Sequence, residues 1–185
     1  MPEDLNPPPP ELELTDNEGS LLGVVSRRQP MTAYQLVKVY EGSPVSSFNS
    51  SKGGLYPLIR RLKERGFLTG ARVEGDGRGT EQLMCSPAGE EALRHWVRHI
   101  RDAHTLLEDP LRTKIMSLDL LPREERIEWV VDVKQSLAAK LEEVDDYGRT
   151  ADVPYQRFVH MSAVSSLRSR MDWLDQLMRE LIKGG

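Results

Sequence analysis

The sequence lacks a second cysteine, a long hydrophobic run and a recognisable leader, and each absence excludes a class of protein. Cys85 is the single cysteine among 185 residues, so an intramolecular disulfide and a cysteine-rich zinc site are excluded. No stretch of about 18 apolar residues exists, which argues against a membrane-spanning helix. Residues 1–4 carry neither a basic stretch nor an apolar segment, so no secretory signal is expected. We therefore expect a soluble cytoplasmic protein.

The chain has no net positive charge, since 29 acidic residues outnumber 25 lysines and arginines, but one region is locally basic. Residues 50–80 contain seven lysines and arginines against three acidic residues. Such a local basic patch is typical of a surface that meets an anionic partner such as nucleic acid. Residues 1–14, in contrast, combine four acidic residues with a run of four prolines, and are expected to form a disordered tail.

Local start and stop signals predict the first two helices. Thr15 and Glu18 have the spacing of a capping box, in which each side chain satisfies a backbone N–H at the helix start. Pro30 ends that helix, Thr32 opens the next one, and the Gly-Ser-Pro stretch at residues 42–44 closes it.

The third predicted helix carries the most specific pattern. Its apolar residues form one helical stripe: Leu55, Leu58, Ile59 and Leu62. Its polar residues recur on a different face: Tyr56, Arg60 and Lys63. Pro57 has no amide hydrogen and is expected in the first turn, so the polar residues before it would lie at the positive end of the helix. Gly66 ends the helix.

Two short strands are predicted at residues 67–74 and 80–86, around a glycine-rich connection that contains Arg78. This arrangement is typical of a two-stranded hairpin. Ser86 and Pro87 then open a further helix, whose predicted apolar face continues to residue 107. That face comprises Leu93, Trp96, Val97, Ile100, His104 and Leu107.

Two long helices, over residues 122–147 and 154–183, carry apolar residues at alternating steps of three and four. A narrow seam of this kind needs a partner helix, which favours a homodimer, although packing within one chain is the alternative. The predicted dimerisation residues are Ile127, Leu137, Leu141, Val164, Leu167, Met171, Leu174, Met178 and Leu181.

These elements predict a mainly α fold with a small β hairpin: a winged helix-turn-helix over residues 15–108, followed by a helical dimerisation domain over residues 109–185. In such a fold the third helix enters the major groove of DNA with its N-terminal residues leading, and the hairpin reaches the adjacent minor groove. The predicted DNA-binding residues are Asn49, Ser50, Ser51, Lys52, Tyr56, Arg60, Lys63 and Arg78. The alternative is a protein-interaction module whose basic patch docks an acidic protein partner.

Residues 51–62, Ser-Lys-Gly-Gly-Leu-Tyr-Pro-Leu-Ile-Arg-Arg-Leu, resemble the recognition-helix signature of PadR-family transcriptional regulators. The likeness covers about residues 18–183 and includes the long helical C-terminus. It implies a homodimeric DNA-binding regulator, usually a repressor, which in some relatives is released from DNA by a phenolic acid or another aromatic compound. By matching motif it also implies roles at the DNA for Tyr34, Lys52, Gly54, Tyr56, Arg60 and Arg78.

The remaining candidates concern ligands and catalysis. Trp96, Trp129 and Trp173 are candidates for lining a pocket for a small aromatic effector; for Trp96, which falls on the apolar face of its helix, core packing is the alternative. His95 and His99 have a spacing compatible with a metal, but no third ligand is apparent, so no metal or other cofactor is expected. The sequence contains no activated-serine elbow and no phosphate-binding loop, so we do not expect an enzyme.

Overall fold

The computed structural model describes residues 10–44, 52–72, 80–105 and 108–183. The chain divides into two compact units, Met1–Leu106 and Leu107–Gly185. Within the described ranges, no helix combines the length and the apolar character needed to cross a membrane.

The first two helices begin where the sequence predicts. Helix α1 (Asp16–Arg28) is capped by Thr15, whose hydroxyl accepts a hydrogen bond of 3.2 Å from the backbone N–H of Glu18. The Glu18 carboxylate in turn accepts one of 2.9 Å from the backbone N–H of Thr15, so the capping box is confirmed. Helix α2 (Ala33–Glu41) starts at a second capping box, formed by Thr32 and Gln35.

Helix α3 (Lys52–Glu64) buries the predicted stripe, which comprises Leu55, Leu58, Ile59 and Leu62. Pro57 lies one turn further into the helix than predicted, because α3 already begins at Lys52. Gly66 ends the helix as expected, with a φ of +74° that is unfavourable for any residue with a side chain. The N–H groups of Gly66 and Phe67 donate to the carbonyls of Lys63 and Leu62, which completes a Schellman motif.

The sheet has three strands, whereas the sequence predicted two. Strands β2 (Leu68–Arg72) and β3 (Glu81–Cys85) pair antiparallel as predicted, with Arg72 opposite Glu81 at the end nearest the glycine-rich connection. The additional strand β1 (Met31–Thr32) pairs with the other edge of β3, so the strand order is β1-β3-β2. A two-residue strand is too short to produce an alternating pattern in the sequence.

The core of the first unit contains side chains from α1, α2, α3 and β3. The largest fully buried side chains there are Leu21, Leu22, Val25, Leu36, Leu62 and Leu83. Residues 10–14, which the sequence analysis assigned to the tail, also belong to the described part of this unit. A short 3-10 turn spans Pro10–Leu12, and Leu14 is 3 % exposed within the core.

Helix α4 (Pro87–Arg98) begins at the predicted Ser86 cap but ends nine residues before the predicted end at residue 107. Val97 and Ile100, which the sequence placed on the apolar face, are 71 % and 63 % exposed, while Leu107 lies outside the described residues. A 3-10 turn (Asp102–Thr105) follows. His104, predicted to be packed, is instead exposed in this turn and contacts the carboxylate of Asp16 at 3.2 Å.

Within its described residues, the second unit contains three α-helices, α5 (Pro110–Ile115), α6 (Arg123–Thr150) and α7 (Gln156–Lys183), and a 3-10 turn (Leu118–Leu120) between α5 and α6. Helix α6 continues through Gly148, where the sequence predicted a break. A side chain at this position would collide with the ring of His160, so Gly148 allows α6 and α7 to approach closely.

The two long helices pack antiparallel against each other. Lys134 of α6 pairs with Asp175 of α7, and near the opposite ends Asp145 pairs with His160 at 3.1 Å. The residues buried between them are Val130, Leu137, Val144, Val164, Leu167 and Leu174. The two predicted seams therefore face each other within one chain.

Candidate nucleic-acid interface

Helix α3 has one buried face and one exposed face, and the exposed face carries Tyr56 and Arg60. Tyr56 is 52 % exposed, while Leu55 beside it is buried. Arg60 lies one turn further along the same face, with most of its side chain in solvent. Its Nε lies 3.7 Å from Oε1 of Glu64, a contact between two exposed groups that contributes little to stability. Arg60 is therefore accessible to a partner.

Tyr34 borders this face from the neighbouring helix. It lies in the first turn of α2 and is 64 % exposed, and the ammonium group of Lys38 stands 5.7 Å from the centre of its ring. An open groove of about 500 Å³ is lined by Tyr34, Tyr56 and Arg60, together with Leu83 of β3. The surface thus combines two exposed aromatic rings with at least one accessible cation.

Several cations of the predicted basic patch are already paired with acids of this chain. Lys63 donates to both carboxylate oxygens of Glu81, at 2.6 and 2.7 Å. Arg61 and Arg65 both contact Oε1 of Glu18, at 2.7 and 3.5 Å. The free positive charge of this region is therefore smaller than the count of basic residues suggests, and Lys63 is a weaker candidate for a DNA contact than Arg60.

Some predicted interface residues lie outside the described part of the chain. This applies to Asn49, Ser50, Ser51 and Arg78. Lys52 is the first residue of α3, and Gly54 is exposed in the first turn of that helix.

Sequence reasoning missed the role of Glu18. Its carboxylate accepts four hydrogen bonds: two from Thr15, one from Arg61 and one from Arg65. Burial by itself raises the pKa of Glu18, but the bonds from Thr15 and Arg61 outweigh that effect and hold the pKa below its ordinary value. The capping box identified Glu18 as a local partner of Thr15, but nothing in the sequence indicated its contacts with α3.

No protein-family model and no curated protein matches this sequence. Solved structures do match it. PadR from Bacillus subtilis in complex with operator DNA superposes with a TM-score of 0.76 at 17 % identity, over 91 % of this chain and 98 % of that one. The chain has the fold of PadR-family regulators.

Two further structures extend this likeness. Bacillus subtilis PadR in complex with p-coumaric acid gives a TM-score of 0.72 at 15 % identity, over 89 % of this chain and 97 % of that one. The virulence activator AphA from Vibrio cholerae gives 0.70 at 17 % identity, over 91 % and 99 %. These neighbours with the PadR fold are transcriptional regulators, and at such identities the likeness establishes the fold.

The three tryptophans lie in different packing environments of this PadR fold. Trp96 packs on α1, where a side chain at Gly19 would overlap its ring, and its Nε1 donates to Asp16 at 3.2 Å. Trp129 and Trp173 pack against the hydrophobic cluster of the second unit. Trp173 also borders an open cavity of about 540 Å³ together with Ile115, Leu177 and Arg179. All three tryptophans are thus partly buried against a hydrophobic cluster of their own unit.

The predicted dimerisation residues contribute to the packing between α6 and α7 in one chain. Leu137, Val164, Leu167 and Leu174 are buried there, and Leu141, Met171, Met178 and Leu181 are partly buried against them. Ile127 is half-buried on α6. The seam is therefore covered at least in part by the neighbouring helix of the same chain, and its role in a dimer stays a prediction. A different apolar set is exposed at the start of α7 and just before it: Tyr155, Phe158, Val159 and Met161.

Of the two histidines with metal-compatible spacing, His95 is engaged by an acid on its own helix. His95 lies 3.2 Å from Glu91, and the described ranges contain no group of three or more metal-ligating side chains. Burial raises the pKa of the Cys85 thiol to about 11, with a further contribution from Glu90. Because the thiolate is the reactive form, Cys85 is poorly suited to a redox switch.

Proposed function

We propose that this protein is a homodimeric, DNA-binding transcriptional regulator that acts in the cytoplasm. The observation that carries the proposal is the exposed Tyr56–Arg60 face of α3, next to the exposed Tyr34, within a winged-helix unit. Residues 15–108 would form the DNA-binding domain, and residues 109–185 the dimerisation domain. The solved complex of Bacillus subtilis PadR with operator DNA supports this assignment through the shared fold.

In this proposal α3 enters the major groove with its N-terminal end first. The first turn carries Lys52 and Gly54, and Asn49, Ser50 and Ser51 precede it in the chain, at the positive end of the helix. Tyr56 and Arg60 follow on the exposed face and meet base edges or phosphates further along the groove. Strands β2 and β3 lead to the connection that contains Arg78, which would reach the adjacent minor groove or its phosphates.

Dimerisation would place two α3 helices about 34 Å apart on one face of the duplex, which predicts a pseudo-palindromic operator. The exposed apolar residues around the start of α7 support an interface there, and they differ from the seam residues that the sequence favoured. We infer repression as the outcome, because a dimer bound at a promoter blocks access to it. The neighbour AphA is an activator, so the sign of regulation is itself a point to test.

A small aromatic effector is part of the same proposal. Bacillus subtilis PadR has been solved with p-coumaric acid, a phenolic acid. Trp129 and Trp173 remain candidate effector contacts, since neither is fully buried and Trp173 borders an open cavity. Trp96 is a weaker candidate, because its ring and its indole nitrogen are both engaged within the first unit.

DNA binding is tested by fluorescence anisotropy on the promoter upstream of its own gene and on a pool of random duplexes. We expect affinity to fall steeply with salt, because phosphate contacts release counterions. The duplex that wild-type protein binds most tightly in this comparison is called the selected duplex. Arg60→Ala should weaken binding to it by about 1–3 kcal/mol. Arg94→Ala is the matched control, since Arg94 is also an exposed arginine that pairs with a glutamate on its own helix.

Three outcomes would contradict the proposal. The absence of binding to any duplex at low salt would exclude DNA recognition and favour the acidic protein partner. Equal losses in Arg60→Ala and Arg94→Ala would show that the face of α3 has no special role. A monomeric mass by light scattering would exclude the homodimer.

A further inference from the structure

Glu18 is the one charged side chain of the described ranges that is buried, with 2 % of the residue exposed. An N-capping glutamate needs only its bonds to the cap residue and can otherwise face water. Glu18 instead lies between α1 and α3, where removing a carboxylate from water is costly unless every oxygen is well partnered. This burial points to a second task besides capping.

The two carboxylate oxygens of Glu18 have separate partners. Oε2 accepts from the backbone N–H and the hydroxyl of Thr15, at 2.9 and 3.0 Å, and so completes the start of α1. Oε1 accepts from Nε of Arg61 at 2.7 Å and from Nη1 of Arg65 at 3.5 Å. Arg61 lies in the last turn of α3 and Arg65 directly follows the last residue of that helix, so a single carboxylate joins the start of α1 to the C-terminal end of α3.

Arg65 extends this connection to the segment before α1. Its Nη2 donates to the backbone carbonyls of Glu11 and Glu13, at 3.1 and 2.7 Å, and its guanidinium lies 4.6 Å from the centre of the Phe67 ring. The end of α3 is thus connected through Arg65 both to a buried carboxylate and to two backbone carbonyls of the preceding segment.

The rotation of α3 about its axis decides which residues face outward. Arg61 follows Arg60 directly in the chain, and consecutive residues on a helix point about 100° apart. When Arg61 is held against Glu18, Arg60 is therefore turned by about 100° from that contact, next to Tyr56 on the exposed face.

We propose that Glu18 is a positioning residue for DNA recognition: through Arg61 and Arg65 it fixes the rotation and seating of α3, and so presents Tyr56 and Arg60 to the groove. This inference rests on the proposed DNA-binding function. Glu18 itself does not touch DNA, because it is buried beneath the helix that does.

Whether Glu18→Gln strengthens or weakens DNA binding distinguishes a positioning role from a purely electrostatic one. Removing one acidic charge makes the protein less negative, so phosphate attraction alone would strengthen DNA binding. Loss of positioning would weaken it, because α3 must then be ordered at the moment of binding. The amide of glutamine retains an acceptor for Thr15 while removing the charge that holds the two arginines.

The experiment compares wild type with Glu18→Gln on the selected duplex at several salt concentrations. The control is Glu91→Gln, which removes an exposed acid that pairs with Arg94 on α4. We expect Glu18→Gln to bind about tenfold more weakly, equivalent to about 1.4 kcal/mol, with an unchanged salt slope. Glu91→Gln should bind as tightly as wild type or slightly more tightly. Equal or tighter binding by a folded Glu18→Gln protein would overturn the proposal.

Two further measurements keep the inference testable. If Glu18→Gln does not fold, Arg61→Met breaks the same contact from a half-exposed position. It should weaken binding without lowering the salt slope, whereas a lost phosphate contact would lower that slope by about 1; a lowered slope would count against positioning. In hydrogen exchange without DNA, the backbone amides in the C-terminal half of α3 should exchange faster in the variant than in wild type. Exchange as slow as in wild type would show that Glu18 does not anchor α3.

Failure of this inference differs from failure of the proposed function. Wild-type protein that binds no duplex refutes the DNA-binding function, and the hydrogen-exchange result still decides whether Glu18 anchors α3. Wild-type protein that binds DNA alongside an equally tight Glu18→Gln variant refutes the positioning role alone.

Discussion

Two glycines of α1 lead to opposite stability predictions for the same substitution. A Cβ at Gly19 would overlap the ring of Trp96, whereas a Cβ at Gly23 would stand 3.9 Å from a methyl group of Leu93. Alanine is favoured over glycine inside a helix by about 0.8–1 kcal/mol. We therefore expect Gly23→Ala to stabilise the protein by about 0.5–1 kcal/mol.

Gly19→Ala gains the same helix propensity but meets two costs. Forcing an extra carbon into a packed site costs about 1–3 kcal/mol. Displacement of the Trp96 ring also disrupts its 3.2 Å bond to Asp16, which contributes about 1 kcal/mol. The net expectation is a destabilisation of about 1–3 kcal/mol, or a fall in Tm of roughly 2–12 °C for a chain of this size.

Urea denaturation followed by circular dichroism measures both variants against wild type, with thermal scans as a second readout. Gly23→Ala is the matched control, because it changes the same residue type in the same helix. Equal stability of the two variants, or a Gly19→Ala protein as stable as wild type, would refute the reasoning and the placement of Trp96 on α1.

The remaining predictions concern titratable groups. The pKa of about 11 for Cys85 predicts that a thiol reagent at pH 7–8 labels the native protein far more slowly than the urea-unfolded one, as measured by mass spectrometry; equal rates would contradict the burial of this thiol. The pKa of Glu18 is lowered in the folded state, so its stabilising contribution is complete above the ordinary glutamate pKa and is lost as pH falls through the lowered value. Urea midpoints measured from pH 7 down to pH 3 should therefore decline less in Glu18→Gln than in wild type, and parallel declines would contradict the shift.

Features that depend on neighbouring residues were predictable from the sequence. The starts of α1, α2 and α4 were predicted from Thr15, Thr32 and Ser86, because a cap bonds to backbone groups two or three residues away. The end of α3 at Gly66 and the buried stripe of that helix followed in the same way. The exposure of Tyr56 and Arg60 was a direct consequence of that stripe.

Features that depend on distant residues were not predictable. The two-residue strand β1 exists because β3 offers it a free edge, and α4 ends early because the core beneath it ends at Trp96. The charge of the candidate interface changed for the same reason: Glu81 and Glu18 pair with cations that stand 18 and 43 residues away in the chain.

The seam residues show the same division. Their spacing was sufficient to predict two long helices with one apolar side each, because helix geometry repeats every 3.6 residues. That spacing could not identify what would cover them, since a helix of the same chain and a helix of a second chain present identical chemistry to an apolar stripe. The tertiary structure decided that α6 and α7 pack against each other, and it leaves the apolar residues at the start of α7 exposed.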